Sequence, residues 1–593
     1  MSIDIEKMLW DTTRLYPSPS AEELEKDIRD ATEQSAVFRA KYFGRVASLD
    51  AAGLGAAIRE YEKLQELVVK PQLYAYLLFA ADSEDDLHKM LSQRTAEFGN
   101  KMSRELLFFD LELIGLEDGS YAALAADERL AGYRHFLESL RKFRPHTLAE
   151  REEQLLKLKS LTGVDAFTRL FDELSASFRY RLEIEGEERE MTGEDLLGLL
   201  HHPDAALRER AFSTFLKRHE DEGITYSTVF NTIALDHSQE LELRNYGSPM
   251  EPTHLGNELP SAAVERMMTV TEENYPLARE YFRLKAGLLK IPRLKNSDIY
   301  APLGDTHRRY TFAEAEKLVL DAYGSFDAGF RDIVEAFFSE RRVDVPTRPG
   351  KSGGAFCMGM TPSLSPYVLL NFTGNLRDVA TIAHELGHGL HFVLAQRQSM
   401  LNYHAPLPLA ETASVFGEML LTRYMLEREN DRQVKVSLLC AKIEDIIATT
   451  FRQNVLTRFE EQMHLERRNG LLVPARLCDI WWRENAKLYG DAVDMIEPYR
   501  WGWSYISHFI HARFYCYSYT FAELLVLSLY QKYLQEGASF IPGYRAILES
   551  GGSRSPADTA RLAGIDFSDP GFWQHGYDFL RDLIEELKVL ITA

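Results

Sequence analysis

Apolar residues in the first quarter of the chain recur at helical spacing, and the polar positions between them mark where helices stop. From residue 21 to about 163 the pattern predicts helix after helix, with breaks at Lys70-Pro71 and at the acidic run 82–86. Thr147 with Glu150 predicts a capping box, in which a hydroxyl and a carboxylate each satisfy a free amide of the first turn. The period changes at 178–186, where apolar and polar residues alternate and then turn, so a short strand or hairpin is expected. Helical spacing resumes over 192–200 and 204–246, with His201-His202-Pro203 as a loop between them. Residues 247–260 are rich in turn formers, 298–303 read as extended, and Thr311 with Glu314 predicts another capping box.

The most glycine-rich stretch, 348–360, precedes the apolar run Tyr367-Val368-Leu369-Leu370. It lacks the Gly-x-x-x-x-Gly-Lys-Ser/Thr order, and no apolar strand leads into it, so it is not a phosphate loop. It predicts a small β-hairpin or sheet, at whose edge the small side chains let a peptide backbone come close and add as a strand. A helix follows at once: Val379, Ile382, Ala383, Leu386, Leu390, Val393 and Leu394 form one apolar stripe, with Asp378 placed as its N-cap.

The opposite face of that helix carries His384-Glu385-x-x-His388. Residues four apart lie roughly 6 Å along the axis and project to one side, so two imidazoles can share a metal ion. Glu385 lies about 100° round the helix, too far to complete the ligand set but placed to reach a water bound to that ion. This is the division of labour of a zinc hydrolase, two histidine ligands and one carboxylate base. His391 is about 10 Å along the axis from His384, beyond a shared ion, and is taken as a flanking polar residue. Position 394 is Leu, which excludes the class whose third histidine ligand stands six residues past the second. The best third ligand is Glu411, an acid among apolar helix formers that needs a partner, and Glu418 two turns on is placed to buttress a histidine. Far downstream, 501–519 is an aromatic stripe with core character, but it also holds His508, His511 and four tyrosines, the donor types that stabilise an oxyanion.

Composition narrows the partners. The 593 residues are 45% hydrophobic and 27% charged, the balance of an ordinary globular protein with room for several domains. A net charge of −22 repels nucleic acid and anionic lipid, so neither is an expected partner. Cys357, Cys440, Cys478 and Cys516 are widely separated and suggest neither a disulfide framework nor a cysteine zinc site. The opening Met1–Lys7 shows no basic region followed by an apolar core, and no run of about 18 apolar residues occurs, so the expected location is cytoplasmic.

In combination, His384-Glu385-x-x-His388, Glu411 within Glu-Thr-Ala-Ser, Gly353-Gly354-Ala355-Phe356 and the block from His508 to Tyr519 resemble the thimet oligopeptidase family of zinc metallopeptidases, nearest to oligoendopeptidase F. The opening 10–18 is similar to that subgroup's start, so the resemblance runs over essentially the whole chain. It implies a mainly α, two-lobed body with a deep channel for short unfolded peptides, residues 1–200 forming an N-terminal helical region and 201–593 the catalytic domain. It further implies one Zn²⁺ per chain on His384, His388 and Glu411, with Glu385 as general base, and His508 assisted by a following tyrosine, Tyr517 ahead of Tyr515, with Tyr519 also open. The expected activity is zinc-dependent endopeptidase hydrolysis of short peptides by attack of a zinc-bound water; no oligomeric state is assigned. The alternatives are an exopeptidase of carboxydipeptidase type on the same site, or a non-catalytic peptide-binding scaffold. The scaffold has no use for an uncoordinated Glu385.

Overall fold

The structure, a computed structural model, describes residues 5–303, 308–567, 569 and 571–592. Met1–Asp4, part of the chain's opening stretch, lie outside these. The fold is 73% helical, with three small sheets among the described residues, which makes it mainly α. It divides into two compact units: the first comprises 1–147, 307–428 and 529–566, the second 148–306, 429–528 and 567–593.

In the first unit the helices Glu22–Tyr42, Ala51–Ala81 and Asp86–Ile114 pack around Phe38, Tyr61, Phe98 and Phe109. Lys70-Pro71 does not break the middle helix, which runs through Pro71 for 31 residues. A proline there costs about 3 kcal/mol, but Leu64, Val68, Tyr74 and Leu77 are buried on either side of it, and ending the helix would expose one set. The acidic run does end it, because Asp85 caps the next helix through the amides of Leu87 and His88. Thr147 is not a cap: its hydroxyl bonds back to Phe143, and the helix begins at Glu150 with Glu152 accepting from the Ala149 amide. The glycine-rich stretch forms the expected sheet, in the order Val343–Asp344, Tyr367–Leu369, Phe356–Met358, with the last pair antiparallel. Trp10, Tyr16 and Leu24 cover it against Met360, Tyr367 and Leu369. Phe356–Met358 is thereby an edge strand.

The second unit contains the predicted hairpin, Tyr180–Ile184 against Glu187–Met191, and the helices Ala205–Asp221, Gly223–Leu243, Arg432–Ile447, Gln453–Arg467, Pro474–Tyr489 and Phe572–Thr592. Two stretches differ from the sequence reading. The turn-rich 247–260 encloses a short helix, Glu251–Gly256, and 298–303 starts in a 3₁₀ turn, Asn296–Asp298, rather than extended. Thr311 and Glu314 form their capping box as expected.

Candidate metal centre

The helix Leu376–Ala395 presents the two histidines, and its cap shows why it starts where it does. Asn375, not Asp378, is the N-cap: its side chain takes the Asp378 amide at 3.0 Å. Asp378 sits three residues on and reaches back to the amides of Thr373, Gly374 and Asn375. Both are short acceptors within one turn of the helix start and each takes the other's amide, so spacing alone does not separate them.

Two glycines let this helix press against Thr412–Arg428. A Cβ on Gly387 would stand 2.5 Å from the Ala413 carbonyl oxygen and 2.6 Å from Ser414 Cα. One on Gly417 would fall on the Tyr323 hydroxyl, which donates to the Ala383 carbonyl at 2.7 Å. That approach carries Glu411 to the histidines. Glu411 Oε2 lies 3.4 Å from His384 Nε2 and 3.3 Å from His388 Nε2. The three ligand atoms all fall within 4.8 Å of one another. Ligands at 2.0–2.1 Å around a tetrahedral zinc are about 3.3–3.4 Å apart. The donor set therefore fits such an ion in both spacing and chemistry.

The surroundings orient these ligands and demand positive charge. Glu418 Oε1 lies 2.6 Å from His384 Nδ1, so the nitrogen facing Glu411 is held toward the cluster. Burial alone would depress the His384 imidazolium, but Glu418, Glu411 and Glu385 outweigh it and hold its pKa up to about 9. Burial opposes ionisation of Glu411 as well, yet the hydrogen bond from His388 and the charge of both histidines hold it down to about 2. Without a metal the site recruits a proton in its place. Ser414, which the sequence reading did not select, donates to Glu411 Oε2 at 2.6 Å; its position three residues along in Glu-Thr-Ala-Ser was the available signal.

Glu385 lies outside the ligand cluster and is buried, and its carboxyl is raised by desolvation and by Glu411, with the histidines opposing. It accepts a hydrogen bond from the Cys357 amide, which ties the candidate base to the edge strand. His391, taken as a flanking polar residue, is buried: burial lowers its pKa to about 4, and it bonds to the Ala410 carbonyl next to Glu411.

His508 and the tyrosines belong to the second unit. His508 stacks on Tyr515 with centroids 5.6 Å apart, and its Nε2 is 3.3 Å from the Tyr519 hydroxyl. Tyr519 and Tyr517 lie in the helix Cys516–Glu536, and Tyr517 is fully buried away from His508, with its hydroxyl accepting from Asn257 Nδ2 at 2.8 Å and 3.2 Å from His254 Nδ1. The structure thus brings His508 together with Tyr515 and Tyr519, and not with Tyr517. Residues four apart share a helix face and residues two apart do not. Much of the stripe is core, as with Trp503 packed on Phe230 at 4.8 Å.

A helical fold in which two histidines one turn apart meet a glutamate from the turn that opens a neighbouring helix, with a second buried glutamate beside them, defines the metallopeptidase class of hydrolases. Comparison with known sequences agrees: the pattern of peptidase family M3 matches residues 198–579 and that of oligopeptidase F matches 112–180. The chain belongs to peptidase family M3. It is 24% identical to oligopeptidase PepF of Bacillus subtilis over 98% of this chain and 87% of that protein. It is 25% identical to group B oligopeptidase PepB of Streptococcus agalactiae over 99% of this chain and 98% of that one. Among solved structures, oligoendopeptidase-F from Enterococcus faecium superposes with a TM-score of 0.73 at 24% identity, covering 96% of this chain and 99% of that one.

Proposed function

We propose that the chain is a zinc-dependent oligoendopeptidase that hydrolyses internal bonds of short unfolded peptides. The observation that carries this is the convergence of His384, His388 and Glu411 at ligand spacing with Glu385 beside them and outside the ligand set. A structural zinc site closes with four protein ligands and needs no such carboxylate.

Zinc held there by His384, His388 and Glu411 supplies Lewis acidity toward a water and the scissile carbonyl. Glu385 takes the proton of the attacking water and passes it to the departing amine, a role suited to a carboxyl raised by burial. The edge strand Phe356–Met358 receives the peptide backbone by strand addition, and its Cys357 amide keeps Glu385 in register with it. His508 with Tyr515 or Tyr519 donates to the tetrahedral oxyanion; their mutual contacts favour these two tyrosines over the core-bound Tyr517. Residues 1–200 are the N-terminal region and 201–593 the catalytic region, a division supported by the two family matches. The cytoplasm is the proposed compartment, in keeping with four free thiols; among the described residues no helix is long and apolar enough to cross a membrane.

The test is an internally quenched peptide blocked at both ends. Cleavage that stops with chelator and returns with zinc is expected, and Glu385→Gln should abolish turnover while keeping its metal. Cleavage of unblocked peptides alone would establish the exopeptidase instead, and loss of metal from Glu385→Gln would undo the role of the base.

A further inference from the structure

The second unit contains a cavity that the zinc chemistry does not use. Its walls include Phe212, Phe282, Tyr300, Tyr489, Tyr499 and Tyr505, and a π-helical turn, Ala448–Arg452, runs along it between two α-helices. A π turn holds one residue more than an α turn, widens the helix and recurs at functional positions. Here it delivers Arg452 to the cavity lining.

Arg452 is set among aromatic rings. Tyr300, Tyr505, Tyr499 and Tyr489 surround it, and it hydrogen-bonds Tyr505. No carboxylate among the described residues forms an ion pair with it. Glu444, an acid on the same lining, is engaged by Lys285 Nζ at 2.6 Å and by the Tyr281 hydroxyl. The half-buried guanidinium thus faces an aromatic cavity with its charge unneutralised by any carboxylate among the described residues, which suits an anion.

A second donor on the lining is also unmet. Asn296 is 5% exposed, and its Oδ1 accepts the Ile496 amide at 2.9 Å, which fixes the orientation of the side-chain amide. Its Nδ2 is buried and has no acceptor among the described residues. Leaving such a group unsatisfied costs about 1–3 kcal/mol. Arg452 and Asn296 arrive from segments more than a hundred residues apart to line one aromatic cavity, the first without an ion-pair partner and the second with an unmet donor among the described residues.

We infer that this cavity binds the free C-terminal carboxylate of a peptide, with Arg452 and Asn296 as its donors and the terminal side chain against the aromatic walls. A planar carboxylate matches the fork of a guanidinium, and one added amide serves its remaining lone pairs. A phosphate dianion carries twice the charge to desolvate and would face Glu444 with the same two donors. The inference rests on the peptidase reading, because a hydrolase of short peptides meets a free carboxylate on every substrate and product.

The experiment measures calorimetric binding of a short peptide ending in leucine to full-length Glu385→Gln protein, as the free acid and as the C-terminal amide. The acid is expected to bind at least about tenfold more tightly, since a charge-assisted hydrogen bond contributes that much. Asn296→Asp keeps an acceptor for the Ile496 amide while placing a negative charge beside Arg452. It should weaken the acid about tenfold or more and leave the amide unchanged, and Arg452→Gln should erase the acid preference. Equal binding of acid and amide overturns the inference, as does an acid preference that survives Asn296→Asp. Full displacement of the acid by inorganic phosphate overturns the assignment to peptide termini. Turnover of the blocked peptide by the unaltered enzyme is measured separately, so loss of the peptidase reading shows there and loss of this one shows in the acid and amide affinities.

Discussion

Replacing Gly387 with alanine should loosen the metal centre without touching any ligand. The added Cβ would stand 2.5 Å from the Ala413 carbonyl oxygen and 2.6 Å from Ser414 Cα, where ordinary contact begins at 3.4 Å. Both obstacles are backbone, so neither can rotate aside, and the facing helix has to retreat by about 1 Å. Overpacking of this severity costs about 3 kcal/mol, against about 1 kcal/mol gained from alanine's better helix propensity. The net loss is about 2 kcal/mol, a fall of about 3 °C in thermal midpoint for a unit of this size. The retreat moves Ala413 and Ser414, hence Glu411, away from the two histidines, and zinc affinity should fall at least about tenfold. Gly119 lies in a helix of the same unit with nothing within 4 Å of its would-be Cβ, so Gly119→Ala should be neutral or slightly stabilising. Differential scanning calorimetry of metal-free and loaded protein, with zinc competition against a fluorescent chelator, reads both effects. A Gly387→Ala protein that matches Gly119→Ala in midpoint and zinc affinity would refute the reasoning.

Three further outcomes are expected at the site. Glu418→Ala removes the acceptor at His384 Nδ1 and should weaken zinc binding about 10- to 100-fold by the same competition assay; unchanged affinity would show that Glu418 does not orient the ligand. In the metal-free protein, His384 is raised to about 9, so its contribution to stability is complete below its ordinary value of 6.5 and lost as pH rises through 9. Glu411 is lowered to about 2, so its contribution holds above 4.5 and is lost as pH falls through 2. The urea midpoint of metal-free protein should therefore decline from pH 6.5 to 9 and the decline should disappear on zinc loading; an equal decline in both forms would contradict it. Tyr515→Phe and Tyr519→Phe should lower kcat with little change in unfolding midpoint, whereas Tyr517→Phe leaves the buried Asn257 amide with Ser518 Oγ as its remaining acceptor and should cost about 1 kcal/mol of stability; a kcat loss confined to Tyr517→Phe would reverse the assignment.

The carboxylates around His384 show how local and distant information divide. Glu411 and Glu418 stand out in sequence as acids in an apolar run, but their separate tasks, ligand and buttress, depend on where Thr412–Arg428 lies against Leu376–Ala395. Glycine at 387 and 417 permits that approach, and nothing in the local pattern says which neighbour either glycine meets. The tasks of Ser414 and His391 are hidden for the same reason: Glu-Thr-Ala-Ser marks the serine and the motif helix marks the histidine, but neither says which carboxylate or carbonyl is placed against it.

By itself the sequence determined the features that depend on backbone period and local hydrogen bonding. The 3.6-residue repeat puts His384 and His388 on one face, alternation at 178–186 makes the hairpin, and Thr311 with Glu314 caps its helix through bonds within its own first turn. Only the tertiary structure decided that Pro71 lies inside a helix, that Tyr515 and Tyr519 rather than Tyr517 stand with His508, and that Arg452 and Asn296 line one cavity. Those outcomes depend on burial and on contacts between segments up to hundreds of residues apart. Their energies rest on which surfaces meet, and no repeat along the chain encodes that.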